Sequence, residues 1–206
     1  MYEPNLFSSE EAHGHYTLPL KDAEVVYYPQ FIPMEAASEA FQKLLNETVW
    51  QQDDIKIFGK LYKQPRLTAL YGENGKSYSY SGITMFPKPF TPLLKEIKAK
   101  IEAETKVSFT TVLLNLYRDG NDSNGWHRDN EKELGENPVI ASVSLGAERA
   151  FHFKHRTDKH LKYKLQLDHG SLLLMQRGTQ RHWLHQLPKT KKVTEPRINL
   201  TFRVIQ

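Results

Sequence analysis

The chain contains no cysteine. That excludes disulfide frameworks and thiolate metal sites, so any transition metal must be held by imidazole and carboxylate. Long apolar runs are missing as well. No stretch approaches the roughly 20 residues that cross a bilayer. The opening MYEPNLFSSEEAHGHY lacks the apolar segment of a secretory signal. An intracellular protein with no membrane partner is expected. Internal repeats and low-complexity linkers are also absent.

What is present suits a folded monomer. The 206 residues are 39% hydrophobic and 11% aromatic, enough for one domain with a real core and too apolar for a disordered chain. The net charge of +4 leans towards an anionic partner. Basic side chains gather in KHRTDKHLKYK (154–164) and KTKK (189–192), both of turn or hairpin-end character. Solvated loop charge explains each stretch taken alone.

The first half of the chain mixes elements. AEVVYYPQFI reads as an early strand. MEAASEAFQKLLNETVW places Ala37, Phe41, Leu44 and Leu45 on one helical face. IKIFGKLY is a strand interrupted by a glycine turn, and SYSYSGITMF alternates until Pro87 and Pro89 stop it. TPLLKEIKAKIEAET predicts a second amphipathic helix with Leu94, Ile97 and Ile101 inward. From residue 108 the pattern changes to seven short strands: FTTVLLNLY, VIASVSLG, AFHFKH, YKLQL, SLLLMQ, HWLHQLP and RINLTFRVI. Such spacing predicts a mainly β fold, a sandwich or jelly roll with flanking helices outside.

Strand parity then locates chemistry, because side chains at i and i+2 share a face. In the last strand Ile198, Leu200, Phe202 and Val204 form an apolar face, while Arg197, Asn199, Thr201 and Arg203 form the other. Two forked guanidiniums bracketing an amide and a hydroxyl are equipment for carboxylates. In TVLLNLY, Asn115 and Tyr117 share one face opposite Val112, Leu114 and Leu116. In NGWHRDNE an extended backbone would turn His127 and Asp129 to one side, where both could grasp one ion. With nine histidines in the chain, one H-x-D match is weak by itself and needs a third ligand. In RHWLHQLP, His185 shares a face with Trp183 and Leu187, which marks it as inward, whereas His182 lies on the opposite face and is the worse candidate. Two histidines and a carboxylate would form a facial triad with open positions for a co-substrate and O₂.

These residues carry a resemblance. NLYRDG…HRDNE…PVIASVSLGAERAFHF…HGSLLLM…HWLHQLP…RINLTFR resembles the AlkB family of Fe(II)- and 2-oxoglutarate-dependent dioxygenases, closest to the branch that repairs alkylated bases in double-stranded DNA. It extends back through IFGK, PR, YGENGKSYSYSG and PKPF, covering roughly residues 54–205. It implies a double-stranded β-helix (jelly-roll) core over residues 108–206. A nucleotide-recognition lid with its supporting helix would occupy 54–107, and an N-terminal extension with an early strand and helix would occupy 1–53.

By the same resemblance His127, Asp129 and His185 match the iron ligands, and Asn115, Tyr117, Arg197, Thr201 and Arg203 match the 2-oxoglutarate contacts, with Asn199 in the same row. The family removes N-methyl groups from lesions such as 1-methyladenine and 3-methylcytosine. It turns 2-oxoglutarate and O₂ into succinate and CO₂ and releases formaldehyde. A base in a duplex must be flipped out to reach the iron. Tyr78, Ser79 and Tyr80 match the substrate-pocket stretch, and Phe58, followed by Gly59, matches the wedge that fills the gap left by the flipped base. Lys60, Arg66, Lys191 and Lys192 would meet phosphates. Asn130 departs from the branch, whose members carry an acidic residue directly after the metal-binding aspartate. Glu131 follows and is a candidate for the pocket rim. The implied partner is alkylated DNA as duplex, with RNA or single strands as the alternative and a non-catalytic DNA-binding module as a third reading. The implied compartment is the cytoplasm of a bacterium or the nucleus of a eukaryote.

Overall fold

The structure, a computed structural model, describes residues 14–57, 59–73, 75–80 and 83–206. Its strands are β1 (Tyr16–Thr17), β2 (Glu24–Tyr28), β3 (Asp54–Ile57), β4 (Lys60–Lys63), β5 (Leu67–Gly72), β6 (Tyr78–Tyr80), β7 (Ile83–Met85), β8 (Thr111–Tyr117) and β9 (Asn124–His127) in the first part of the chain. They continue as β10 (Ile140–Gly146), β11 (Arg149–His155), β12 (Lys162–Leu167), β13 (Ser171–Gln176), β14 (Trp183–Leu187) and β15 (Arg197–Arg203). The helices are α1 (Met34–Glu47), α2 (Pro92–Thr105) and the short α3 (Thr179–His182).

A seven-stranded sheet in the order β1-β2-β13-β10-β15-β8-β5 faces a four-stranded sheet in the order β12-β11-β14-β9, and every strand pair in them is antiparallel. The large sheet is covered on both sides. On its outer face Leu114, Val143, Leu172, Ile198 and Leu200 pack with the inward residues of α1 and α2. On its inner face Leu113, Ile140, Leu173 and Met175 pack with Phe153, Leu165 and Trp183 of the small sheet. This is the expected jelly roll with helices outside.

Local chemistry explains both long helices. Thr91 caps α2 by accepting the N–H of Leu94 at 3.3 Å, Pro92 fits the first turn, and Leu93, Leu94, Ile97 and Ile101 are buried. In α1 the buried stripe is Ala36, Ala37, Ala40 and Leu44, with Phe41 and Leu45 only partly covered. The helix is thus rotated from the expected Phe41/Leu45 face, because the small alanines let it come close to the sheet. Gly146 (φ +87°), at the end of β10, makes room for Phe41, whose ring would lie 2.6 Å from an added Cβ.

Other expectations also shift. The early strand stops at Tyr28, ahead of Pro29. SYSYSGITMF forms not one strand but the antiparallel pair β6–β7. The last ligand-bearing strand begins at Trp183, since His182 closes α3. Strands β5 and β9 are further members of the two sheets that the periodicity did not announce.

Candidate active site

Between the sheets lies a cavity of about 180 Å³ lined by the inward rows of β8, β14 and β15. Pairing sets the geometry. His185 of β14 stands directly opposite His127 of β9, and the pairing then slips, with Leu187 opposite Asn124. The extra residue lies on β9, a bulge of the kind that re-aims side chains beside active sites. The two imidazoles meet edge to face at 4.3 Å between ring centroids. Asp129 follows just past the strand, and one ligand atom from each of His127, Asp129 and His185 lies within 4.8 Å of the others.

Each ligand is held by a group that sequence reading did not single out. The backbone N–H of Asp129 donates to Gln180 Oε1 of α3 at 2.9 Å. The Gly125 carbonyl is 2.7 Å from His127 Nδ1 and accepts its proton, which leaves Nε2 as the lone-pair nitrogen, now met by the amide of Asn124 at 3.1 Å. Phe151 stacks on His185 at 5.4 Å, and His185 Nδ1 is buried with no hydrogen-bond partner. Phe151 shares a strand face with Phe153, so its inward position was open to parity. Gln180 offered no such signal.

Charge states suit a divalent cation. Burial lowers the pKa of both histidines, His185 to about 3, so both rings are neutral and able to ligate. Burial alone would raise Asp129. The Arg203 guanidinium beside it outweighs burial and holds the carboxyl below its usual range. Arg203 donates to Asp129 Oδ2 through Nε at 3.2 Å and Nη2 at 2.9 Å. Neutral imidazoles, an ionised carboxylate and an orphaned ring nitrogen form the donor set that Fe(II) requires. Sequence spacing alone did not show that Arg203 pairs with the metal carboxylate.

The pH dependence of the metal-free fold follows. His185 titrates at 6.5 when unfolded and at about 3 when folded, so the unfolded chain takes up the proton first. The His185 contribution to stability is complete above pH 6.5 and falls by about 1.4 kcal/mol per pH unit between 6.5 and 3, with His127 adding a loss of the same sign. Denaturant titrations between pH 7.5 and 5 will show this slope, and His185→Phe will reduce it by one proton.

Beside the triad is an anion pocket. Arg197 is buried, and burial lowers its pKa to about 10. Its Nη2 donates to Ser144 Oγ at 2.9 Å, while its Nε has no partner. Tyr117 lies opposite Arg197 in the β8–β15 register, its ring 5.4 Å from the guanidinium carbon and its hydroxyl without a hydrogen bond among the described residues. Arg149 approaches the same ring at 6.0 Å and anchors the loop behind it through the carbonyls of Asp119, Asp122 and Pro188. A buried cation with a free N–H beside a free phenol fits a carboxylate, the chemistry of 2-oxoglutarate. Asn115, Asn199 and Thr201 line the same wall but are already committed. Asn199 donates to Ser142 Oγ and the Val143 carbonyl and accepts from Thr201 and Asn115.

The substrate-side residues scatter more widely. Arg66, expected at a phosphate, is instead buried, donating to Asn115 Oδ1 at 2.8 Å and Asn124 Oδ1 at 3.2 Å. With its donors turned into the cavity wall it does not present a surface cation. Tyr78 is buried over Arg203 at 5.2 Å, and Glu131 lines the cavity with its carboxyl pKa raised by burial and by Asp129. Ser79 bonds Thr84 across the β6–β7 pair at 2.9 Å. Gly59 (φ +82°) turns the β3–β4 hairpin, and Lys60, Asn130, Lys191 and Lys192 are exposed. Phe58 and the Tyr80 side chain lie outside the described residues.

Comparison with known proteins is consistent with this geometry. Residues 24–203 match the family model described as the 2OG-Fe(II) oxygenase superfamily. The chain is 44% identical to the DNA oxidative demethylase ALKBH2 of Bos taurus, a match covering 82% of this chain and 64% of that one, and 43% identical to its Homo sapiens counterpart, covering 82% and 69%. It is 39% identical to the alpha-ketoglutarate-dependent dioxygenase alkB homolog 3 of Bos taurus, covering 98% and 73%. The chain thus spans less than two thirds of the bovine ALKBH2. Among solved structures, OsALKBH1 aligns with a TM-score of 0.62 at 19% identity, covering 87% of this chain and 96% of that one. A prolyl hydroxylase of Trichoplax adhaerens aligns at 0.60 and 12%, covering 88% and 83%. At such identities these two show the fold.

Proposed function

The chain belongs to the 2OG-Fe(II) oxygenase superfamily, and we propose that within it the protein is an oxidative demethylase of N-alkylated bases in DNA. The observation that carries this reading is the convergence of His127, Asp129 and His185 beside a buried arginine with an unused N–H. Its relatives named as DNA oxidative demethylases supply the substrate class.

Fe(II), when bound, supplies O₂ activation coupled to oxidative decarboxylation of 2-oxoglutarate. The chain's own residues do the rest. His127, Asp129 and His185 would hold the metal. Arg197 and Tyr117 bind a carboxylate of 2-oxoglutarate by charge-assisted hydrogen bonds in a cavity that Leu113 and Leu187 also line. Arg203 keeps Asp129 ionised and oriented. Hydroxylation of the N-methyl group gives a hydroxymethyl adduct, which releases formaldehyde and restores the base.

A target base must leave its stack to enter the cavity. The β3–β4 hairpin supports an approach to nucleic acid, because all four residues of β4, Lys60 to Lys63, are exposed. Lys191 and Lys192 add cationic surface. Duplex DNA is the proposed form, met by an intracellular monomer, with Phe58 as the wedge. Incubating the protein with Fe(II), 2-oxoglutarate and oligonucleotides carrying 1-methyladenine will give unmethylated base by mass spectrometry, with succinate and formaldehyde in equal amounts. The duplex is expected to react faster than the single strand, and Phe58→Ala to slow the duplex selectively, by about 10-fold for a few kcal/mol of unstacking only partly offset. Single-strand preference unaffected by Phe58→Ala would move the assignment to RNA or single-stranded substrates.

A further inference from the structure

We propose that Asp22, His155 and His182 form a second divalent-metal site, structural in role, that takes a borderline cation such as Zn(II). One ligand atom from each of the three lies within 4.8 Å of the others. They come from parts of the chain far apart in sequence: the turn before β2, the end of β11 and the end of α3. His182, the poorer candidate for the catalytic iron, finds a role here.

The frame around the three donors is built. Trp183 Nε1 donates to the Lys21 carbonyl at 2.8 Å, and the Arg156 N–H donates to the His182 carbonyl at 2.8 Å. Gly178 lies so close to the Asp22 carbonyl that an added Cβ would sit 2.3 Å from it. The turn, the strand end and the helix end are thus locked together through their backbones. The His155 and His182 rings are nearly parallel, 9° apart with centroids at 6.0 Å, and the Trp183 ring meets His155 edge-on at 5.2 Å.

Asp22, His182 and the Nε2 edge of His155 lack protein partners among the described residues. Neither the Asp22 carboxylate nor the His182 ring makes a hydrogen bond or ion pair among the described residues. His155 Nδ1 faces the N–H groups of Thr157 and Asp158 at 3.4 and 3.1 Å, and its Nε2 is buried with no partner. Of the three, only His155 Nε2 is a buried unpartnered atom, and folded proteins rarely leave such an atom unsatisfied. The neighbouring cations point elsewhere: Arg156 Nη1 donates to the Arg181 carbonyl and Arg177 pairs with Glu24. A cation satisfies all three groups at once. Two imidazoles and one carboxylate suit Zn(II), with water in the fourth position. Ligation through His155 Nε2 moves the ring proton to Nδ1, which then gives up the N–H groups of Thr157 and Asp158 and donates to Thr157 Oγ1, 3.3 Å away. Closing the donors to metal distance takes small rotations of Asp22 and His182, which are not fully packed.

The consequence reaches the catalytic centre through α3. The same helix carries Gln180, whose side chain holds Asp129 and whose carbonyl accepts Arg128 Nη1 at 3.3 Å. A metal on His182 tethers this support from behind.

Titration of the metal-free full chain with Zn(II), followed by calorimetry, is expected to give two equivalents. His127→Ala/His185→Ala should retain one, the second site, whereas His155→Gln or His182→Gln should retain the other, the catalytic one. In the His127→Ala/His185→Ala background Zn(II) should raise the thermal midpoint by about 5–10 °C at a hundredfold excess over Kd, and adding His182→Gln should abolish the rise. Asp22→Asn, an exposed change at a left-handed position (φ +58°) that asparagine tolerates, should weaken the second equivalent at least tenfold without altering the metal-free fold. A single equivalent in the wild type overturns the proposal. So does a second equivalent that survives both His155→Gln and His182→Gln.

Discussion

Asp129→Ala will reduce 2-oxoglutarate turnover to background and also destabilise the metal-free fold by about 3–5 kcal/mol. The two losses have different causes. The first removes the only carboxylate among the three converging ligands. The second leaves Arg203 buried without the partner it meets at 2.9 and 3.2 Å. Breaking one side of a buried ion pair costs far more than the pair contributes, since the remaining charge has lost both water and counter-ion. Asp129→Asn separates the effects: turnover stays at background, while the amide oxygen still accepts from Arg203 and part of the stability returns. Steady-state succinate release and urea denaturation of the metal-free protein measure the two. Full turnover in Asp129→Ala would remove the iron assignment.

Arg197→Met will behave in the opposite way. The apparent affinity for 2-oxoglutarate should fall at least about 100-fold, corresponding to about 3 kcal/mol for lost charge-assisted hydrogen bonds. The metal-free protein should be as stable as the wild type or more so. Arg197 is buried with its Nε unpartnered among the described residues, and burial draws its pKa down to about 10. An apolar side chain of similar length removes that cost. Arg203→Met, three steps along the same row, should lose stability because Asp129 depends on it. Competition binding of 2-oxoglutarate together with thermal unfolding distinguishes the two arginines. Equal destabilisation by both would mean that Arg197 has a structural partner.

Much of this was legible from alternation. In β15 every second residue is polar, and the structure turns Arg197, Asn199, Thr201 and Arg203 to the cavity while Ile198, Leu200 and Phe202 pack under the helices. In β14 the buried residues are Trp183, His185 and Leu187, as their parity requires. Parity works here because both faces of the large sheet are buried in different ways, one in apolar contact and one around a polar cavity, so the pattern carries a clear sign. It failed where local period and tertiary packing part company. α1 rolled onto its alanines, β5 has no alternation because it is buried throughout most of its length, and Arg66 turned inward to bond Asn115 rather than outward.

The sequence by itself determined the donor set: without cysteine, metal chemistry fell to histidine and aspartate, and strand period chose which face each of them shares. Only the tertiary structure decided how those faces meet. Pairing of β9 with β14 sets His127 opposite His185, α3 delivers Gln180 to the Asp129 backbone, and Arg203 rather than Arg197 takes the carboxylate. The physical reason is that period is a property of neighbouring residues, whereas register, bulge and ion-pair choice arise between segments up to 74 positions apart, where no local pattern reaches.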